Sequence, residues 1–486
     1  VKRPTVSRRG FLIGGAATAG TTAAAVTAGY VISSSADAAA TGEAVAAWTP
    51  MAPSGAAYLH IVAHPDDDLY FFNPDLEQAI KSGAAVTSVV VTAAEDDGKN
   101  LPRYDPGYAA APVNVPDYIS ARTHGLRAAY ALMATGDRTS PWQREAFQTR
   151  DGASAELATL TAAPRIKLVF LYLQSIDAKR PGATLVGELW EGTMASVATL
   201  VPAGSPVTTA SSYTADDLQG TLLDLIKRFK PTVVRTMDPD PEQVTKDPRF
   251  PGTGMGDYAD HGDHTAIGLF AARAVQQYQE LAGDSRLLQE SYRGYANERW
   301  PHALSGPAYQ RKLTYLAVYG GADGFKCDDP AGCGDLKVGA DAPTIAFGKS
   351  TTYRYPGTTT WLRMGPDGRL AAFAVLGGQA VMWTETAPGS GKWSGPAWLA
   401  GRPMASHVTP VLTKDGRWQL FGVALTLAGA PGDEYRPVMT SVQSAPGSTK
   451  FSAWASIGTP NFDAPQRRSL GAPMAALGGD GQLRVF

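Results

Sequence analysis

The run Ala63-His64-Pro65-Asp66-Asp67-Asp68 is the first place where this 486-residue chain offers chemistry. An apolar stretch at 58–62 leads straight into it and reads as a buried strand. A histidine and three consecutive carboxylates at the end of a core strand do nothing for stability. Adjacent like charges repel, and each loses hydration when the site is enclosed. A divalent cation removes the conflict, because carboxylate oxygen and imidazole nitrogen are both good zinc ligands. A second cluster, Tyr258-Ala259-Asp260-His261-Gly262-Asp263-His264-Thr265, holds two of the seven histidines. A metal site draws ligands from separate segments, and these two segments supply them. Asp263 next to His261 also suits an imidazole oriented by a carboxylate.

Such residues need a scaffold. Apolar runs rich in Val, Ile, Leu and aromatics predict strands at 58–63, 86–92, 167–173 and 232–236. Amphipathic stretches predict helices at 74–82, 116–134, 215–229 and 264–278. Leu218, Leu222, Leu225, Ile226 and Phe229 fall on one helical face. The alternation predicts an α/β domain with a mostly parallel sheet and helices on both faces. Ligands in such folds bind at the carboxyl ends of the strands, where the His64–Asp68 run sits.

The two motifs together resemble those of the PIG-L/LmbE-like family of zinc-dependent de-N-acetylases, over roughly residues 56–320. The resemblance implies a Rossmann-like fold and removal of acetyl or similar acyl groups from amino sugars. It implies one zinc per chain, or another first-row divalent ion, held by His64, Asp67 and His264. Asp66 takes the place of the general base. His261 takes the place of the histidine that steadies the oxyanion or protonates the leaving amine, with Asp263 orienting it. Asp68 stands where the family most often has Glu. Arg122 matches a substrate-contacting arginine, against the alternative of an exposed helix arginine. Asp97 follows the second predicted strand and Asp238 the fourth, and both are further substrate-binding positions, with a solvated acidic turn and a pocket rim as their alternatives.

Other features bear on destination. Ser7-Arg8-Arg9-Gly10-Phe11-Leu12 has the twin-arginine export pattern. A weakly apolar stretch and Ala36-Asp37-Ala38 follow, so 1–40 reads as a signal peptide and 41–55 as a linker. The expectation is a secreted protein with no stable membrane span after cleavage. Cys327 and Cys333 bracket a turn-like segment and suit a disulfide in an oxidising compartment, within a linker at 326–341. A net charge of −2 gives no electrostatic footprint for nucleic acid.

From 342 to 486 the pattern changes. Gly365-Pro366-Asp367-Gly368-Arg369-Leu370 is echoed at 413–418 and again at 478–483. Ala387-Pro388-Gly389-Ser390 recurs at 445–448. Asp-Gly pairs suit hairpin turns that need positive φ. The period suits blades of a β-propeller, with two full repeats and the start of a third, and a closed propeller from this chain alone is not expected. Trp383, Trp393 and Trp398 read as blade-core residues or as platforms for sugar faces.

The predicted function is therefore a secreted metal-dependent hydrolase of N-acetylated sugars or glycans, its catalytic domain at 56–325 followed by a β-repeat domain. The alternatives are a carbohydrate-binding or adhesive protein with a degenerate catalytic domain, and a hydrolase of a different amide.

Overall fold

The computed structural model describes residues 55–176, 184–239, 260–283, 286–295, 297, 304, 306–341, 346–351, 361–399, 401, 404–425, 436–459 and 472–486. The expected signal peptide, nearly all of the 41–55 linker, Tyr258 and Ala259 lie outside the described residues.

The chain begins with β1 (Ala57–Val62), a π-helical turn (Asp68–Phe72), α1 (Asp75–Lys81) and β2 (Ala85–Thr92). It continues through α2 (Val115–Thr135), β3 (Trp142–Gln148), β4 (Ser154–Leu160) and β5 (Ile166–Leu173). Then come α3 (Leu185–Trp190), a small ladder of β6 (Val197–Ala198) and β7 (Ser212–Tyr213), and α4 (Ala215–Phe229). β8 (Val233–Met237), α5 (Gly262–Ala282), β9 (Leu288–Tyr292), α6 (Gly306–Tyr319) and α7 (Leu336–Asp341) complete this part.

Seven strands form one sheet in the order β3-β4-β5-β2-β1-β8-β9. The ladders from β5 to β9 are parallel, and β3 and β4 extend the sheet antiparallel. The central strands are mostly apolar because both sheet faces are covered. One face packs under α1, α2 and α6, with Leu126, Tyr130 and Leu316 in its core. The other packs under α3, α4 and α5, with Leu222, Ile226 and Phe270. α4 begins at a capping box in which Thr214 and Asp217 bond each other's backbone N–H. The first site motif leaves β1 at the carboxyl edge of the sheet, and the second opens α5.

Beyond α7 the repeats become β-meanders. β10 (Leu362–Met364), β11 (Leu370–Leu376), β12 (Gln379–Glu385) and β13 (Trp393–Trp398) form one four-stranded antiparallel sheet. β14 (Met404–Leu412), β15 (Trp418–Ala424), β16 (Val438–Val442) and β17 (Ala455–Gly458) form a second. β18 (Ala475–Leu477) and β19 (Leu483–Val485) form a two-stranded ladder. The three Asp-Gly turns are equivalent, with φ of 78°, 78° and 79° at Gly368, Gly416 and Gly481. Each is closed by an acid–arginine pair at 2.6 Å: Asp367–Arg369, Asp415–Arg417 and Asp480–Arg484.

The described residues of this region make blade-like meanders and no closed propeller. One expectation is corrected: the three tryptophans do not fill the blade core, as Trp393 is exposed and Trp383 and Trp398 are half-buried. Trp418 packs in the core with Phe373 and Leu420 instead.

The second meander packs on α5, where Leu425 meets Leu269 and Ala272. Gly377 N–H donates to Leu287 O at 2.7 Å, joining the first meander to the approach of β9. Cys327 and Cys333 are disulfide-bonded. Among the described residues no helix is long and apolar enough to cross a membrane.

Candidate metal centre

The two motifs meet in space. His64 Nδ1, Asp67 Oδ1 and His264 Nε2 form a triangle with edges of 3.3, 3.1 and 3.0 Å. Ligands about 2.0–2.1 Å from a tetrahedral zinc lie about 3.3 Å from one another, so the triangle has the size that three zinc ligands need.

The second polar atom of each ligand is tied back into the protein. His264 Nδ1–H donates to Asp260 Oδ1 at 2.6 Å. A carboxylate only accepts, so Nε2 is the lone-pair face of that ring. His64 Nε2–H lies 3.4 Å from Asp263 Oδ2, leaving Nδ1 as its lone-pair face. Asp67 Oδ2 accepts the backbone N–H of His64 at 2.8 Å, leaving Oδ1 directed at the two rings. Both tautomers and one carboxylate rotamer are thereby fixed by their partners, the usual device for orienting metal ligands.

Local structure explains how residues so near in sequence diverge. The π-helical turn starts directly after Asp67, and its first bonds include Tyr70 N to Asp66 O at 2.9 Å. Such turns are frequent at functional sites. Asp67 therefore faces His264, whereas Asp68 points into the core and accepts from Ser88 Oγ at 2.6 Å and from the Tyr130 hydroxyl.

Electrostatics agree with a cation site. Burial would hold down the pKa of His64, but Asp67 and Asp263 overcome it and push it up to about 9. Burial also opposes ionisation of Asp67, yet the two imidazoles hold its carboxyl well below the usual range. His264, flanked by Asp67 and Asp260, is likewise raised against the effect of burial. The pocket favours positive charge between these groups, which a divalent ion supplies.

Asp66 lies beside this triangle with a different character. Burial raises its carboxyl above the ordinary value, against the pull of the Arg122 guanidinium at 3.2 Å. His261 is the N-cap of α5, its Nδ1 accepting the backbone N–H of Asp263 at 3.2 Å. Its proton therefore sits on Nε2. Burial lowers its pKa to about 4, so the ring is neutral near pH 7.

The expected role of Asp263 changes. Its carboxylate is 3.8 Å from His261 but 3.4 Å from His64, and it accepts from Ser175 Oγ at 2.5 Å. Asp263 thus orients His64 through its side chain and His261 through its backbone. Ser175 in turn is fixed by Glu95, which accepts from Ser175 N–H and Ile176 N–H at 3.0 Å each.

The expected substrate-binding positions have the following surroundings. Arg122 is buried, not an exposed helix arginine, and its guanidinium is filled by Asp66, Asp335, the Tyr319 hydroxyl and Ala94 O. Asp97 is bonded to Lys337 and to the Tyr108 hydroxyl, each at 2.6 Å. Asp238 is buried directly after β8. Sequence reasoning missed Asp260, Ser175, Tyr319 and Asp335. Asp260 lay inside the quoted motif, and Ser175 lies two residues past β5 at the ligand-facing end. Nothing local marks Tyr319 or Asp335. Tyr295 was missed too; its ring stacks on His264 with centroids 5.2 Å apart.

Comparison with known proteins returns one family and several structures. Residues 59–275 match the profile of PIG-L, described as GlcNAc-PI de-N-acetylase. No curated protein matches. Among solved structures, a zinc-inhibited form of teicoplanin deacetylase Orf2 is 16% identical over 54% of this chain and 83% of its own, with a TM-score of 0.28. N,N'-diacetylchitobiose deacetylase from Pyrococcus horikoshii is 12% identical over 56% of this chain and 72% of its own, with a TM-score of 0.29. GalB, the 4-carboxy-2-hydroxymuconate hydratase from Pseudomonas putida KT2440, is 12% identical over 55% and 78%, with a TM-score of 0.27.

Proposed function

We propose, from the premise that residues 59–275 are a domain of the GlcNAc-PI de-N-acetylase family, that this protein is an exported, metal-dependent hydrolase removing N-acetyl groups from amino sugars. The observation that carries the reading is the triangle of His64 Nδ1, Asp67 Oδ1 and His264 Nε2, with every ligand held from behind.

His64, Asp67 and His264 would hold the ion, and zinc is the ion the donor set suits best. When bound, it supplies Lewis-acid polarisation of the amide carbonyl and acidifies a water. The remaining roles belong to the chain. Asp66, raised by burial, takes the proton of the attacking water as general base. His261 presents Nε2–H as a hydrogen-bond donor to the developing oxyanion, and the proton taken up by Asp66 passes on to the leaving nitrogen. Asp263 and Ser175 hold His64 in its tautomer. No Ser or Cys nucleophile is required, and both cysteines are tied in a disulfide.

Export belongs to the same proposal. The twin-arginine pattern supports it, and so does a disulfide, which persists in oxidising compartments. Folding before export would let the site take up its metal inside the cell.

The test is acetate release from N-acetylglucosamine, its oligomers and peptidoglycan fragments, by zinc-loaded and by chelator-stripped protein. Release that depends on the metal supports the reading and ranks the substrates. Equal release by both preparations contradicts a metal-dependent reaction. No release by zinc-loaded protein moves the assignment to another amide.

A further inference from the structure

We infer that Asp335 is a positioning residue for Asp66, acting through Arg122, and that the working site therefore reaches beyond the family-matched segment 59–275. The inference rests on the hydrolase reading above for the role of Asp66, but its structural half stands alone.

Arg122 projects from α2 and is used on every edge. Nη2 meets Asp66 Oδ2 at 3.2 Å, Nη1 donates to Ala94 O, and Nε lies 2.9 Å from the Tyr319 hydroxyl and 3.1 Å from Asp335 Oδ2. A planar guanidinium has fixed angles between its donors. Anchoring the Nε edge therefore sets the direction of Nη2. Asp335 is 1% exposed and is itself fixed: Tyr118 donates to Oδ2 at 3.2 Å, and Lys337 N–H donates to Oδ1 at 3.1 Å.

The segment carrying Asp335 is strapped down. Asn100 Nδ2 donates to Gly334 O at 3.0 Å, and Leu336 N–H donates back to Asn100 Oδ1 at 2.9 Å. Asp335 N–H bonds Tyr319 O at 3.0 Å. Lys337 Nζ pairs with Asp96 and Asp97 at 2.6 Å each. The disulfide closes the loop two residues before Asp335, and Cys333 is buried. So residues 333–337 span from α6 to the loop after β2, and Asp335 is the charged group they deliver to Arg122.

A base works only when its oxygen is aimed at the proton it takes, and a displacement of about 1 Å can cost about a hundredfold in rate. Without Asp335 the Nε edge of Arg122 keeps one neutral partner, Tyr319, and the guanidinium is free to turn away from its present contact with Asp66.

The experiment compares zinc-loaded wild type, Asp335→Asn and Asp335→Glu by kcat, KM, zinc content and crystal structure. The expected result for Asp335→Asn is a kcat lowered at least about tenfold, a KM within about threefold and full zinc occupancy. Its crystal structure should show Arg122 Nη2 more than about 4 Å from Asp66. Asp335→Glu, which keeps the charge, should recover part of kcat; if only this variant folds, a kcat below wild type and a moved Arg122 are the expected results. Wild-type kcat, or an unmoved Arg122–Asp66 contact, in the folded variant overturns the inference. If the wild type hydrolyses no amide, the proposed function fails and the Arg122–Asp66 separation in the variant crystals alone decides this point.

Discussion

Asp260 Oδ1 and His264 Nδ1 are 2.6 Å apart, and that bond decides which nitrogen of His264 faces the proposed metal position. Asp260 also accepts the backbone N–H of His261 at 2.9 Å and of Tyr295 at 3.3 Å. One carboxylate thus aligns a ligand and two backbone segments around it. Asp260→Asn keeps the shape but weakens the acceptor. The expected outcome is a zinc affinity reduced about 10- to 100-fold, with activity restored at saturating zinc. Chelator competition measures the affinity; an unchanged value contradicts the orienting role.

His261 does two things that can be separated. As N-cap it satisfies a backbone N–H of α5, and in the proposed reaction its neutral imidazole would offer Nε2–H to the substrate. Asn is a good N-cap and Ala is not. His261→Asn should therefore lose about 100-fold or more in kcat with little change in stability. His261→Ala should lose the same activity and about 1 kcal/mol of stability as well. Thermal unfolding and steady-state rates distinguish the two, and full activity in either variant contradicts the donor role.

Lys312 is buried on α6 with Nζ bonded to Ser350 O at 3.3 Å. Burial lowers its pKa from 10.5 to about 7. The unfolded chain then binds a proton more readily than the folded one between pH 7 and 10.5, so stability should rise with pH across that window. Below pH 7 the folded state carries the full cost. Lys312→Met removes it and should raise stability at pH 7 by on the order of 4 kcal/mol. The gain should shrink as pH approaches 10. Urea unfolding of both proteins at pH 7 and 10 checks this; a pH-independent difference contradicts it.

Gly125 lets α2 approach the end of α6. A Cβ there would lie 2.1 Å from Tyr319 O and 3.1 Å from the Gly334 Cα. Both neighbours are backbone, so neither can yield cheaply. Gly125→Ala is expected to destabilise by about 1–3 kcal/mol and to lower activity through Tyr319 and Asp335. Unfolding midpoints and rates measure both effects, and an unperturbed variant contradicts the packing argument.

Much of this architecture was legible in local pattern. β1, β2, β5 and β8 are short runs rich in Val, Ile, Leu and aromatics, and α4 has a single apolar face; each lies within a residue or two of its predicted position. β3 was not, because WQREAFQ is an exposed edge strand with charged residues where a core strand would have Val or Ile. β4 was hidden by alanines, which have low strand preference. α5 starts two residues earlier than its periodicity suggested because an imidazole, not one of the usual capping side chains, closes its first turn. The candidate metal triangle was readable because its three residues sit in two compact motifs. The Arg122–Asp335 contact joins positions 122 and 335, and no local pattern encodes it. The tryptophans misled because blade-core packing here falls to Trp418 and smaller residues.

In the proposed reaction Asp66 moves the proton while His64, Asp67 and His264 hold the metal. The most direct test measures metal content and acetate release together in zinc-loaded wild type, Asp66→Ala and His264→Ala. Asp66→Ala is expected to lose nearly all turnover while keeping near-normal zinc, and His264→Ala to lose both. Full activity in Asp66→Ala, or full zinc occupancy in His264→Ala, would contradict these roles.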